Sequence, residues 1–296
     1  MKKNLRNFIG WLFAVFFIST GFARRIKKRA KSGEFILSVF FHDPSKEIFE
    51  YCIKWLLKNK FVFLTQNDLI AISNQKKPFP KNAVIITLDD GWKDNLDNVV
   101  KVANEYKVPV TIFISTEPVQ NGVYWWSYIE AGNKNKLINT DVEFYKTLPN
   151  DERVAEVKKI KDKIVLNREA MTSTQVMEIA AQDFITIGGH TVTHPILTQC
   201  SYEDVYNELN DSKKTLENWI NKPVYSFAYP NGSYGDREAG ILKELNYNIA
   251  HTTKAAYLNQ ASLQNILELP RFFVIENTSK AEALCRMLGI WQRFFD

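Results

Sequence analysis

The chain has little cysteine, and the cysteines it has are placed unfavourably for a thiolate site. Cys52, Cys200 and Cys285 are an odd number at wide spacing, with no C-x-x-C pair among them. This excludes a typical thiolate metal centre and argues against a disulfide framework, which favours a reducing compartment. Cys52 falls on the apolar face of a helical pattern and is therefore predicted to be a core residue.

The chain also lacks the broad basic surface that nucleic-acid binding requires. Its formal net charge is +5, but much of the excess lies near the N-terminus and the remaining chain is nearly balanced. A nucleic-acid partner is therefore not expected. The N-terminal basic residues are Lys2, Lys3, Arg6, Arg24, Arg25, Lys27, Lys28, Arg29 and Lys31.

These charges flank an uncharged, mostly apolar run from Asn7 to Ala23, close to the lower limit of about 17 residues for a spanning helix. A cleaved signal peptide, a signal anchor and a helix dipping into one leaflet are the three interpretations. The heavier charge on the C-terminal side favours a cytoplasmic location for the following domain. We expect residues 1–31 to associate with a membrane and residues 32–296 to form one domain on the cytoplasmic side. The alternative is an exported, membrane-anchored protein.

Buried strand patterns alternate with helical ones along this domain. Examples are Ile36–Phe41, Ala83–Leu88 and Val110–Ile114, and a helix is predicted to begin at Asp43 with Pro44 in its first turn. Strands separated by helices predict a parallel sheet, and seven or eight strands in one domain favour a barrel. The expected fold is thus α/β, a distorted (β/α) barrel of about seven parallel strands with outer helices. Residues from about 120 to 171 are less regular and are predicted to be an insertion.

Three polar clusters each follow a predicted strand. They are Asp89-Asp90-Gly91, the segment from His190 to His194, and Tyr229-Pro230-Asn231-Gly232. Because parallel strands end at one rim, the three clusters should meet there.

The residue types in two of these clusters suit a catalytic metal. His190 and His194 are spaced i, i+4, which predicts two imidazoles on one side of a helical turn. The adjacent carboxylates of Asp89 and Asp90 repel each other unless positive charge lies nearby. A bound metal would supply that charge, with one aspartate as its ligand and the other as a general base. Two histidines and one aspartate leave positions open for water and substrate. The alternatives are surface or capping histidines and a solvated turn, but two of only four histidines lie here.

These residues resemble the motifs of the polysaccharide deacetylase family, carbohydrate esterase family 4, also called NodB-type. Thr87-Leu88-Asp89-Asp90-Gly91 is similar to the first motif, TFDDG, and residues 190–195 are similar to the second, H-[ST]-x-x-H. Residues 227–232 resemble the third motif in the form found in exopolysaccharide deacetylases. The resemblance covers residues 35–274 and implies the barrel expected above.

The resemblance also implies roles. By it, Asp90, His190 and His194 bind a divalent metal, Asp89 is the base that activates water, and the backbone N–H of Asn231 holds the oxyanion. The donor set suits Zn²⁺, and Co²⁺, Ni²⁺ or Fe²⁺ are compatible.

The chain departs from the family pattern at two functional positions. Ala228 stands where the third motif usually has an arginine that orients the base, and Arg271 is similar to the arginine that exopolysaccharide enzymes use instead. No histidine follows His251, so the usual C-terminal general acid is absent. His42 and His251, each at a strand end, are the substitutes, and His42 is preferred because related exopolysaccharide enzymes have a histidine there.

The predicted function is metal-dependent removal of acetyl groups from N-acetylated sugars of a poly- or oligosaccharide, with a lipid-linked saccharide as one form of the substrate. Trp125, Trp126 and Tyr229 are candidates for a wall that stacks on sugar rings, with core packing as the alternative. Two other functions remain open. One is an amidase acting on a small non-sugar amide or imide, and the other is an inactive saccharide-binding or assembly protein.

Overall fold

The computed structural model describes the backbone of residues 2–295 and the side chains of residues 6–295. The predicted basic side chains Lys2 and Lys3 lie outside the described side chains. The strands are β1 Ile36–Phe41, β2 Val62–Phe63, β3 Ala83–Leu88, β4 Val110–Ile114, β5 Ile185–Gly189, β6 Ser226–Ala228, β7 Ile249–His251 and β8 Phe272–Phe273.

Helices connect and cover these strands. They are α1 Lys2–Ser19, α2 Phe22–Ser32, α3 Lys46–Lys58, α4 Gln66–Ser73, α5 Lys101–Tyr106, α6 Thr116–Asn121, α7 Trp125–Lys134, α8 Val142–Thr147, α9 Asn150–Lys161, α10 Ser173–Ala180, α11 Tyr202–Ile220, α12 Asp236–Glu244, α13 Lys280–Met287 and α14 Gln292–Phe295. A π-helical turn, Leu96–Val100, leads into α5.

The strands form one curled parallel sheet in the order β7-β6-β5-β4-β3-β1-β8, with β2 paired to β3 beside this path. An isolated parallel bridge between His251 and Leu269 connects the segment before β8 back to β7 at the other end of the sheet. Strands β1 and β3 are buried along their whole length, as expected where both faces of a parallel sheet are covered. The predicted distorted barrel with outer helices is confirmed.

Capping side chains mark the starts of α10 and α3. Thr172 caps α10 through a capping box with Gln175, as its sequence pattern indicates. The predicted start at Asp43 is wrong, because Ser45 is the N-cap of α3 and its side chain accepts a hydrogen bond from the Ile48 N–H. Asp43 instead lines a cavity at the rim of the sheet.

Helices α7, α8 and α9 occupy the region predicted to be an insertion. They pack around a small apolar cluster of their own that includes Trp125, Ile129, Tyr145 and Val157. The Trp125 indole N–H donates to the carbonyl oxygen of His194 at 3.0 Å. This contact fixes the helical layer over the carboxyl ends of the strands.

Among the described residues no single helix is long and apolar enough to cross a membrane, although the bent pair Arg6–Ser19 and Phe22–Ser32, at 59°, passes that test by length and composition. Cys52, Cys200 and Cys285 are buried free thiols, and Cys52 is in the core as predicted.

Candidate active site

The two aspartates that follow β3 point in different directions. Asp90 has φ 76°, in the left-handed region, and Gly91 has φ 91°. Such a turn is sterically costly for an aspartate, so its presence at a strand end is typical of a functional position. It separates the neighbouring carboxylates, and each meets a different set of partners.

Asp89 forms a bidentate ion pair with Arg271. The two guanidinium nitrogens Nη1 and Nη2 lie 2.7 and 2.8 Å from the carboxylate oxygens of Asp89. Arg271 is 0% exposed, and it also donates to the Thr87 hydroxyl and the Thr252 carbonyl. Burial by itself raises the pKa of Asp89, but the charge of Arg271 and its hydrogen bonds outweigh it and hold the pKa below its usual value. Asp89 is therefore an oriented carboxylate at neutral pH.

Asp90 lies at the centre of the histidine cluster. Its Oδ1 atom is 3.4 Å from Nε2 of His190 and 3.4 Å from Nε2 of His194. The ligand atoms of these residues all lie within 4.8 Å of one another. The structure thus brings together the three residues predicted to bind a metal.

The hydrogen bonds around these residues fit a bound cation. His190 Nδ1 is 2.7 Å from the Ala228 carbonyl oxygen, which can only accept, so Nδ1 carries a proton and Nε2 is the ring nitrogen that faces Asp90. Asp90 Oδ1 is buried with no hydrogen-bond partner among the described residues. A buried carboxylate oxygen without a partner is unfavourable unless a cation lies beside it. The donor set of one carboxylate and two imidazoles suits zinc and similar metals.

The segment between the two histidines is a loop, so the prediction that they share a helical turn is wrong. Thr191 and His194 have φ values of 67° and 55°, which a right-handed helix does not allow. The imidazoles converge because this loop reverses direction after β5. The two imidazoles therefore lie close together, as the spacing predicted, but in a loop and not on a helical turn.

The side chain of Glu208, on α11, holds this loop in place through hydrogen bonds. This role of Glu208 was not predicted from the sequence. Its Oε2 atom accepts from the N–H groups of Val192 and Thr193 at 2.7 and 2.9 Å, and its Oε1 atom accepts from the Thr193 hydroxyl at 2.6 Å. No local sequence signal identifies this contact, because Glu208 lies within an amphipathic helix with several other acidic residues.

Two tryptophans lie beside the predicted metal ligands Asp90 and His194. The Trp92 indole N–H donates to Asp90 Oδ2 at 2.9 Å, and Trp126 meets the ring of His194 edge-on with centroids 4.7 Å apart. Trp92 was not predicted as a site residue. Trp125 and Trp126 line the cavity, whereas Tyr229 is fully buried and stacks on Tyr234, so its predicted place in a sugar-stacking wall is wrong.

Asn231 lies at the opposite side of the same cavity. It follows β6 in the short 3-10 turn Pro230–Gly232 and has φ 54°. Backbone N–H groups exposed by such a turn can face a ligand. The structure thus brings Asn231 to the rim where the sequence predicted the third cluster.

The two candidate general acids lie in different environments. His42 lines the cavity, 31% exposed, with Nδ1 3.6 Å from a carboxylate oxygen of Glu276. Burial lowers the pKa of His42, but Glu276 and the charges of Asp90 and Asp89 outweigh it and raise the pKa to about 9. His251 is 0% exposed, its Nε2–H donates to the side-chain oxygen of Gln66 at 2.8 Å, and burial lowers its pKa. His42 is thus the histidine that can give a proton in the cavity.

The cavity has a volume of about 980 Å³ and is lined by the aspartates, both ligand histidines, His42 and Asn231. This volume lies at the upper end of the range of about 300–1,000 Å³ that is usual for ligand sites. Its lining includes Trp125 and Trp126 of the insertion and Arg286 and Gln292 of α13 and α14. The site can hold a substrate longer than the reacting group.

Comparison with known proteins gives a family match. The model of the family described as polysaccharide deacetylase matches residues 76–250, more than half of the chain. A curated relative, "Putative polysaccharide deacetylase YxkH" of Bacillus subtilis (strain 168), is 25% identical over 211 residues, which is 71% of this chain and 58% of that relative. The chain therefore spans little more than half the length of that relative.

A second relative is the poly-beta-1,6-N-acetyl-D-glucosamine N-deacetylase of Staphylococcus aureus (strain MSSA476), 24% identical over 269 residues, or 87% of this chain and 78% of the relative. Among solved structures, IcaB from Ammonifex degensii has a TM-score of 0.62 at 14% identity and covers 87% of this chain and 97% of its own. The Streptococcus pyogenes deacetylase PplD has a TM-score of 0.57 at 20% identity, covering 85% and 96%. At these identities the structural likeness establishes the fold alone.

Proposed function

The chain belongs to the polysaccharide deacetylase family, and from this premise we propose that it hydrolyses N-acetyl groups on sugar units of a poly- or oligosaccharide in a metal-dependent reaction. The observation that carries the proposal is the shared position of Asp90 Oδ1, 3.4 Å from Nε2 of both His190 and His194, beside a separately oriented Asp89. The name of the staphylococcal relative supports a β-1,6-linked N-acetylglucosamine polymer as the first substrate to test.

The metal ligands in this proposal are Asp90, His190 and His194. A divalent ion there, with Zn²⁺ favoured and Co²⁺, Ni²⁺ or Fe²⁺ compatible, would polarise the acetyl carbonyl and lower the pKa of a water molecule. The Ala228 carbonyl fixes the tautomer of His190, which keeps Nε2 available as a ligand atom.

Asp89 is the proposed general base. Its two oxygens accept from Arg271, which fixes the plane of the carboxylate and keeps it ionised. A base in a fixed orientation removes a proton from water without first reorganising, and general-base catalysis of this kind contributes about 10²–10⁴-fold. Arg271 is therefore a positioning residue.

The remaining steps need an oxyanion donor and a proton donor. We assign the first to the Asn231 backbone N–H and the second to His42, which lines the cavity with its Nδ1 3.6 Å from a carboxylate oxygen of Glu276. His42 would protonate the leaving amine as the C–N bond breaks. Trp125 and Trp126 offer aromatic surface to the sugar rings.

Metal analysis of the purified full chain, combined with acetate release from N-acetylglucosamine oligomers, tests the proposal. We expect bound divalent metal in the wild type, loss of that metal in His194→Ala, and acetate release that stops with a chelator and returns when the metal is restored. Acetate release that survives both chelation and His194→Ala would contradict it. Release from small non-sugar amides alone would favour the amidase alternative, and saccharide binding with no acetate release would favour the binding protein.

A further inference from the structure

Helix α1 presents an apolar surface that the domain leaves uncovered. Phe8 and Phe16 are 56% and 57% exposed, and Trp11 and Leu12 are 42% and 47% exposed. Phe294 and Phe295 of α14 extend this surface, each 46% exposed. Soluble monomers rarely expose a contiguous apolar patch of this size, so the surface indicates a partner.

A narrow stripe attaches α1 to the domain. Gly10, Ala14 and Phe17 are its buried residues, at helical spacing, and the Phe17 ring stacks on Phe294 with centroids 4.5 Å apart. Arg6 forms a 2.7 Å ion pair with Glu282, whose side chain is 0% exposed. These contacts run along most of the helix, which therefore lies flat on α13 and α14. A perpendicular span would draw the polar flank of the domain into hydrocarbon, which is costly.

Charge complementarity identifies the partner as an anionic lipid surface. Residues 1–33 contain nine basic and no acidic residues, so the other 263 residues have 29 basic against 33 acidic. In α2, directly after the apolar helix, Arg24, Arg25, Lys28 and Lys31 are exposed. Basic residues beside an apolar helix favour binding to an anionic bilayer, whose negative surface potential attracts them.

The same helix borders the active-site cavity. The Asn7 side chain donates to the carbonyl oxygen of Asn277, a cavity-lining residue, at 3.2 Å. Glu282 Oε1, which pairs with Arg6, also accepts from Arg286 Nε at 2.9 Å, and Arg286 lines the cavity. The wall of the cavity formed by α13 and α14 is thus the wall on which α1 rests.

From these contacts we propose that α1 is an interfacial helix that attaches the domain to an anionic bilayer. The cavity wall formed by α13 and α14 then lies at the lipid surface, and the substrate is a saccharide held at the membrane. This inference rests on the deacetylase function proposed above and specifies how the substrate is presented. The cytoplasmic side remains the predicted side, since the basic residues follow the apolar run.

Vesicle binding tests the first half of the proposal without any enzyme assay. The full chain should sediment with vesicles of phosphatidylcholine and phosphatidylglycerol, and much less with phosphatidylcholine alone. The triple variant Trp11→Gln, Leu12→Gln and Phe16→Gln should lose this binding, and Arg24→Gln with Arg25→Gln and Lys28→Gln should lose the preference for anionic lipid. The matched control changes Val154, Val165 and Met177, which are also exposed apolar residues but lie elsewhere, to glutamine.

The second half is tested with one N-acetylglucosamine oligomer in two forms, free in solution and coupled to a lipid in the anionic vesicles. The KM for the coupled form should rise roughly 100-fold in the α1 triple variant, since tethering at a surface acts as an effective concentration. The KM for the free oligomer should stay unchanged.

The outcomes separate this proposal from the proposed function. Absence of vesicle binding by the wild type, retained binding by the α1 triple variant, or a mature protein that begins after residue 23 would overturn the membrane proposal. None of these touches the deacetylase assignment, which depends on acetate release from the free oligomer. Equal KM values for the coupled oligomer in wild type and triple variant would overturn the presentation of substrate at the membrane.

Discussion

The rim of the sheet and the N-terminal helix α1 depart from the usual arrangement of a globular protein in opposite directions. At the rim, charged side chains are buried: Arg271 is 0% exposed and Asp89 2% exposed. On α1, aromatic side chains such as Phe16 are more than half exposed. Ordinary folds place charge outside and large apolar side chains inside. Both exceptions point to function, chemistry at the rim and attachment at the helix.

The two regions also differ in how their unusual side chains are held. At the rim, the buried charges of Asp89 and Arg271 face each other at hydrogen-bond distance, because an uncompensated buried charge would cost several kcal/mol. The exposed side chains of α1 carry no charge that must be compensated, so they need no such partner. Transfer of these apolar side chains from water into a bilayer would stabilise them. Substitutions at the rim should therefore alter catalysis, metal binding or stability and leave membrane attachment unchanged, whereas substitutions on α1 should alter membrane attachment and leave hydrolysis of the free oligomer unchanged.

Asp89→Asn should give the largest difference between the two regions, because it should lower catalysis without changing membrane binding. The amide keeps the shape of the side chain but cannot accept a proton, so kcat for acetate release should fall about 10³-fold. Binding to anionic vesicles should be unchanged, as measured by sedimentation. Asp97→Asn, at an exposed carboxylate that pairs with Lys101, is the matched control and should retain wild-type kcat. A kcat within a few-fold of wild type in Asp89→Asn would contradict the assigned base.

A smaller effect is expected from Glu208→Gln. The substitution replaces one carboxylate oxygen by an amide NH₂ group, which cannot accept a hydrogen bond. Either the backbone N–H groups of Val192 and Thr193 or the Thr193 hydroxyl then lose their acceptor, and the loop that carries both histidines is held less firmly. Affinity for Zn²⁺ should fall about 10- to 100-fold, as for other residues that support metal ligands. Competition with a chromophoric chelator measures this without an activity assay. Glu203→Gln, an exposed change on the same helix, should leave the affinity as it is, and equal affinities in both variants would contradict the role of Glu208.

The smallest effect concerns pH and the pair His42–Glu276 in metal-free protein. The folded-state pKa of His42 is raised from 6.5 to about 9, so protonated His42 contributes stability that is fully present below pH 6.5 and is lost as the pH rises through about 9. Glu276→Gln should therefore lower the melting temperature at the acidic end of this window and much less above it.

A thermal melt series of chelator-treated protein across that window gives the measurement. In the background His42→Gln, the effect of Glu276→Gln should disappear, because the charge it pairs with is gone. A difference that persists in that background, or that grows with rising pH, would show that the two residues do not stabilise each other through charge.

The strand pattern and the metal-site candidates could be predicted from the sequence because both depend on local signals. Apolar runs such as Ala83–Leu88 mark buried strands, and a polar cluster after a strand falls at a known edge of a parallel sheet. The bounds of the elements were less accurate. The helix expected at Asp43 begins after Ser45, since two neighbouring residues can both act as caps and only the surrounding fold decides between them.

The supporting contacts could not be predicted, since they join residues far apart in the chain. Glu208 reaches the loop after β5 from α11, and the Ala228 carbonyl orients His190 from the neighbouring strand. Nothing in the residue types distinguishes that glutamate from its helical neighbours. Trp92 was missed for the same reason, because a tryptophan after a turn is as consistent with packing as with a hydrogen bond to Asp90.

The sequence by itself determined the order of strands and helices, the identity of the candidate ligands and the apolar character of α1, because periodicity, caps and charge distribution act over a few residues. Only the tertiary structure placed His42 at the cavity and His251 in the interior. Side chains alternate along a strand, so a histidine at the end of β7 can face Gln66 in the interior while one just beyond β1 faces the cavity. It likewise decided that α1 lies along α13 beside the cavity, since that position depends on the Arg6–Glu282 pair, which is 276 residues apart in the chain.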